Sequence, residues 1–107
     1  MSDPIIVLTT FPDEASALQT AQHLVEAQLA ACVNVLPPMT SVYTWNGEAQ
    51  TDPEHLLLMK TRQACYASLE QAILEQHPYD LPEIVATPIV AGLAGYLDWI
   101  AETTRDA

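Results

Sequence analysis

The sequence predicts an α+β domain: one antiparallel sheet with two long helices on one of its faces, in the order βαββαβ, closed by a short C-terminal helix. Three observations lead there. Apolar spacing switches between two residues and three to four residues in that order; Asn46-Gly47 marks a hairpin at the centre; and 107 residues are enough for one such unit but not for two. Residues 1–107 are therefore expected to form a single domain.

Ile5-Ile6-Val7-Leu8 is short, apolar and β-branched, as a central strand should be. Phe11-Pro12-Asp13-Glu14 then starts a helix, with Asp13 placed to cap free N–H groups and Glu14 suited to the positive end of the dipole. Over residues 13–29, Leu18, Ala21, Leu24, Val25 and Leu29 recur at helical steps and should face the sheet, leaving Gln19, Gln22, His23 and Glu26 in water. From Ala31 to Trp45 the period becomes two, with Val33 and Val35 opposite Cys32, Asn34 and Leu36. Pro37-Pro38 removes two ladder donors, so the strand must bend, bulge or leave the sheet there before Val42 resumes it.

Asn46-Gly47 is the strongest local signal, because a type I′ turn needs positive φ at both central positions. The returning strand runs from Glu48, is expected to break at Asp52-Pro53, and ends in His55–Arg62, whose apolar centre predicts burial on both faces. A second helix over 63–76 points Tyr66, Leu69, Ala72 and Ile73 inward and stops at His77-Pro78, since the residue before proline is pushed out of the α region. Ile84–Thr87 reads as a strand that Pro88 suits to a sheet edge, and Leu93, Tyr96, Leu97 and Ile100 form the inner stripe of the final helix. This order is the split βαβ, or ferredoxin-like, arrangement.

The central hairpin exceeds what that arrangement needs. Its arms, measured from Asn46-Gly47, run about 15 residues or roughly 50 Å, so the tip must project beyond the sheet. Tyr43 and Trp45 lie two apart and share a face of the projecting arm. Burying both would contribute on the order of 8 to 12 kcal/mol per arm before entropy costs. An isolated ribbon with free edges is marginal in water, so cover by other copies of the chain is expected.

Charge and composition narrow the function. A formal charge of −11 argues against a nucleic-acid partner, which needs a basic surface. No run approaches the roughly 20 apolar residues of a membrane span, and Met1-Ser2-Asp3-Pro4 lacks the basic start of a secretory signal. Cys32 and Cys65 have no CxxC spacing and read as reduced, packed thiols of a cytoplasmic protein. With three glycines, no phosphate-cradling loop and no nucleophile elbow, the chain does not read as an enzyme.

Four motifs carry a family resemblance: Leu29-Ala30-Ala31-Cys32-Val33-Asn34-Val35-Leu36-Pro37, Ser41-Val42-Tyr43-Thr44-Trp45-Asn46-Gly47, Leu58-Met59-Lys60-Thr61 and His77-Pro78-Tyr79-Asp80-Leu81-Pro82-Glu83, with Tyr96-Leu97-Asp98-Trp99 behind them. In these, from Ile5 to Trp99, the chain resembles the CutA family of divalent-cation tolerance proteins. The resemblance implies a homotrimer similar in architecture to the PII signalling proteins, joined by the long hairpins. It also implies a role in response to metal ions, copper among them.

The family's copper-ligand positions, a Cys late in the first strand and two His before the Pro-Tyr, read Thr9, Gln76 and His77 here. Only one soft or borderline ligand remains, so no cofactor is required and any divalent cation is expected to be held weakly, at His77 and Glu83 or by His23 or His55 with nearby carboxylates. Cys32, Lys60, Arg62, His77, Tyr79 and Glu83 are the candidates for a cleft between subunits. Lys60 and Arg62, two apart on a strand, suit an anion or simply pair with carboxylates. A PII-like sensor of a small anionic metabolite and a stable interaction scaffold are the alternatives to a cation-tolerance module.

Overall fold

The computed structural model describes residues 3–105; Met1 and Ser2, half of the N-terminal segment read above, lie outside them. Strand β1 spans Pro4–Phe11, helix α1 Glu14–Glu26, β2 Cys32–Val35, β3 Met39–Trp45, β4 Glu48–Arg62, α2 Tyr66–Gln76 behind a short 3-10 turn, β5 Ile84–Pro88 and α3 Ala94–Thr103. The sheet order is β2-β4-β1-β5 with every pair antiparallel, and β3 continues β2 alongside β4. Topology and helix placement match the ferredoxin-like expectation.

Alternation along the strands sets the core. Ile5, Val7 and Phe11 of β1 and Leu57 and Met59 of β4 point to the helices, where Ala17, Ala21 and Leu24 of α1 and Leu69, Ala72 and Ile73 of α2 close over them. The buried face of α1 is Ala17, Thr20, Ala21 and Leu24, rotated from the expected one: Leu18 and Val25 are 49% and 42% exposed. Small residues at 17 and 21 let the helix lie close to the sheet, which the bulkier pattern concealed. The helix also ends at Glu26 rather than 29, because Gln28 takes φ 60° and the N–H groups of Leu29 and Ala30 turn back to the Leu24 carbonyl. Its start is as read: Asp13 Oδ1 accepts from the Ser16 N–H at 2.7 Å, which holds the Asp13 carboxyl below its ordinary range.

Pro37-Pro38 acts as a bulge. Val35 stands opposite Leu57 and Met39 opposite Glu54, so three residues on one side face two on the other. Asp52-Pro53, in contrast, does not break β4, which is continuous over 15 residues. In a two-stranded ribbon every second N–H points away from the partner, so a proline need not interrupt the ladder. The turn at Asn46 (φ 51°) and Gly47 (φ 77°) has the two positive φ values the sequence called for.

Beyond the β1–β4 pairing, which ends at Phe11 and His55, residues 39–54 form a ribbon on their own. The opposite face of the sheet is less covered than expected. Leu56 and Leu58 are only half-buried, so β4 is sealed on one face rather than two. Ile100 is the one buried residue of α3, while Leu93 and Tyr96 of its predicted inner stripe are 79% and 41% exposed.

Candidate functional site

The ribbon and the loop after α2 border an open cleft of about 590 Å³. Tyr43 and Trp45 line it from β3, Glu54 from β4, and Tyr79, Leu81 and Glu83 from the loop. Pro78 ends α2 and leaves His77 in extended conformation, which turns the chain back towards β1. There the His77 ring stacks on Phe11 at 4.2 Å and lies 4.8 Å from Tyr79.

Both His77 nitrogens are engaged. Nε2–H donates to the Thr10 carbonyl at 2.6 Å and Nδ1 accepts from the Tyr79 N–H at 3.1 Å, which defines the neutral tautomer. Burial pushes the His77 pKa below its ordinary value, more than the hydrogen bond to the Thr10 carbonyl and the charge of Glu54 raise it. The Tyr79 hydroxyl donates at 3.0 Å to Oε2 of Glu54, a carboxylate only 8% exposed. Burial first, and then Glu54, push the Tyr79 phenol up to about 12. Tyr43 donates to Asp52 across the ribbon, and that bond raises its own phenol.

Of the cleft candidates, Tyr79 and Glu83 thus share that open cleft with Tyr43 and Trp45, and His77 stands behind it. The others lie elsewhere. Cys32 and Lys60 pair across β2 and β4 on the half-covered sheet face, where Lys60 donates to Asn34 and Cys32, half-buried rather than buried, lies beside Tyr96. Arg62 closes the C-terminal end of α3, with Nε donating to Thr104 Oγ1 at 2.8 Å and Nη2 to the Thr104 carbonyl at 3.1 Å. Glu54 was missed from the sequence. Its register opposite Met39 beyond the proline bulge is what turns it inward, and no local pattern encodes that.

The three copper-ligand positions fit a transition metal poorly. Thr9 is wholly buried in the helix-facing layer, Gln76 is exposed, and His77 has no nitrogen to spare without losing a hydrogen bond. His55 is not a surface ligand either; it is 8% exposed with Nδ1 3.2 Å from the Leu36 carbonyl. Among the described residues no three His, Cys, Asp or Glu side chains gather as a metal centre would require.

Residues 5–103 match the model of a family described as CutA1 divalent ion tolerance protein. The chain belongs to the CutA1 family. A divalent-cation tolerance protein CutA from Thermus thermophilus is 48% identical over 99 residues, covering 92% of this chain and 96% of that one. The chloroplastic CutA of Arabidopsis thaliana is 41% identical over 95% of this chain, but this chain spans only 56% of its length. Among solved structures, CutA1 of Oryza sativa superposes with a TM-score of 0.95 at 39% identity, covering 99% of this chain and 97% of that one. The Thermus CutA1 structure gives 0.94 at 47% identity, covering 95% and 99% respectively. Compartments differ among such relatives, from chloroplastic in plants to a periplasmic label on an Archaeoglobus fulgidus protein. No described helix of the present chain is long and apolar enough to cross a membrane.

Proposed function

We propose that this CutA1-family chain works as a homotrimer, a non-catalytic binding or signalling module for divalent-cation tolerance, copper included, that acts through surfaces created where subunits meet. The observation that carries this reading is the apolar surface one chain leaves open. Val42, Tyr43 and Trp45 on the ribbon are 70%, 42% and 55% exposed, and Val85, Val90, Leu93 and Trp99 are 48%, 92%, 79% and 40% exposed. A monomer rarely sustains such a surface, whereas identical chains adding ribbons to one another's sheets close it by rotational symmetry. Lys60, Asn34, Cys32 and Tyr96 stand on the half-covered sheet face and enter the inter-subunit cleft in this reading. Two free cysteines suit a reducing, cytoplasmic setting.

The test is complementation. Cells lacking the protein should regain growth on elevated copper with the native chain but not with Trp45→Glu, which places a charge in the contact. Full rescue by a Trp45→Glu protein shown to be monomeric would refute the reading.

A further inference from the structure

We propose that Glu54 and His55 are positioning residues that fix the angle at which the ribbon leaves the sheet, and so aim Tyr43 and Trp45 at another copy of the chain. The aiming rests on the function proposed above; the fixing of the angle does not.

The two residues stand where the ribbon begins. Pairing of β1 with β4 ends at Phe11↔His55, and pairing of β3 with β4 begins at Met39↔Glu54. Across from them the ladder is at its weakest. The Leu36 N–H, on the Leu56 carbonyl at 2.9 Å, is the last donor before Pro37 and Pro38, which have none. A bulge bends its strand, and without ladder bonds to hold it the angle of the bend is free to vary.

Side chains take over there. The Leu36 carbonyl can only accept, so His55 Nδ1–H donates to it, at 3.2 Å, and ties β4 to the bulged strand. Glu54 Oε2 accepts from the Tyr79 hydroxyl at 3.0 Å and ties β4 to the loop after α2. Successive strand residues point to opposite faces, so the root of the ribbon is held from both.

Burial sets the pair apart. Of residues 39–55, Glu54 and His55 alone are buried, each 8% exposed, and both are polar. Stability does not call for polar groups here, because replacing both partners of such a bond by apolar groups of the same shape can be nearly neutral. What a hydrogen bond adds is direction, which an apolar contact lacks. Direction matters because the ribbon is a lever. The six steps from Glu54 to Glu48 span roughly 20 Å at about 3.3 Å each, so a swing of about 10° at the root carries the tip about 3.5 Å, nearly a whole side-chain contact distance.

Residual dipolar couplings of backbone N–H groups, measured on the full-length protein, read this angle whatever the number of copies. In the native protein the couplings of 39–53 should fit one alignment tensor with those of 5–10 and 57–61. In His55→Leu/Tyr79→Phe, which has neither bond, the ribbon couplings should depart from the tensor of the sheet, while the sheet's own couplings and the Val42↔Thr51 pairing persist. His55→Asn/Glu54→Gln, which keeps a donor for Leu36 and an acceptor for Tyr79, should restore the common fit. In sedimentation the first pair should raise the dissociation constant of the assembly about 10- to 100-fold and the conservative pair less than about 3-fold. Ribbon couplings that keep the sheet's tensor in His55→Leu/Tyr79→Phe would overturn the proposal, as would equal departure in the conservative pair, which would mark the two residues as packing only. Tyr79→Phe alone loses one hydroxyl and should show the same departure in smaller degree; where the His55 change prevents folding, native couplings in Tyr79→Phe overturn the proposal. A native particle of single-chain mass would refute the assembly reading while leaving the angle measurable.

Discussion

Replacing Gly47 by alanine isolates the ribbon from the rest of the molecule. A Cβ at this position would meet no atom within 4 Å, so there is no clash to confuse the result; the cost comes from φ 77° alone. Holding an L-residue in the left-handed region costs roughly 1–2 kcal/mol, partly offset by about 0.4–1 kcal/mol from a stiffer unfolded chain, for a net cost near 1 kcal/mol per chain. In a free monomer the ribbon, paired only strand to strand from Met39↔Glu54 to Trp45↔Glu48, can fray and escape that cost. In a trimer three turns must be held at once. The penalty then approaches about 3 kcal/mol per assembly, or roughly 100-fold in the dissociation constant. Sedimentation of a dilution series would measure it. Unchanged assembly in Gly47→Ala would show that the ribbon geometry does not contribute to subunit contact.

Other residues give independent checks. His77 is held neutral by burial, so near its ordinary value of 6.5 the unfolded chain binds the proton more readily than the folded one; stability is full above that pH and falls as pH drops below it. Urea midpoints between pH 7.5 and 5.5 should fall for the native protein and fall less for His77→Phe, which keeps the stack on Phe11. Thr104→Val removes the acceptor of Arg62 Nε and should destabilise by about 1–3 kcal/mol in equilibrium unfolding. In a spectrophotometric titration of the folded protein, Tyr79, pushed up to about 12, should ionise after the other tyrosines; Glu54→Gln should bring it down, and Tyr79→Phe should remove that step.

Element order was readable because each signal for it is local: Asp13 as a cap, His77-Pro78 as a stop, Asn46-Gly47 as a turn. What failed depends on neighbours distant in sequence. Leu18 and Val25 look inward by bulk, but the approach of α1 to the sheet is set by Ala17 and Ala21. Leu93 and Tyr96 look inward by period, yet within one chain only Ile100 is buried and Leu97 half-buried, while Leu93 and Tyr96 stay exposed. The site divided in the same way. Tyr43, Trp45, Tyr79 and Glu83 stood out as unusual residues, and the structure gathers them. Glu54 and Asp52 passed as ordinary acids of a very acidic chain, because only the register past the Pro37-Pro38 bulge shows which of them meets a tyrosine.

The most direct test of the central claim, that the ribbon and the 85–99 surface are made to be covered by further copies of the chain, is the mass of the native particle in solution. Native mass spectrometry of untagged protein at micromolar concentration should give three times the 11.7 kDa chain, about 35 kDa, with Trp45→Glu shifted to the single-chain mass. A native protein that persists at 11.7 kDa would contradict the account.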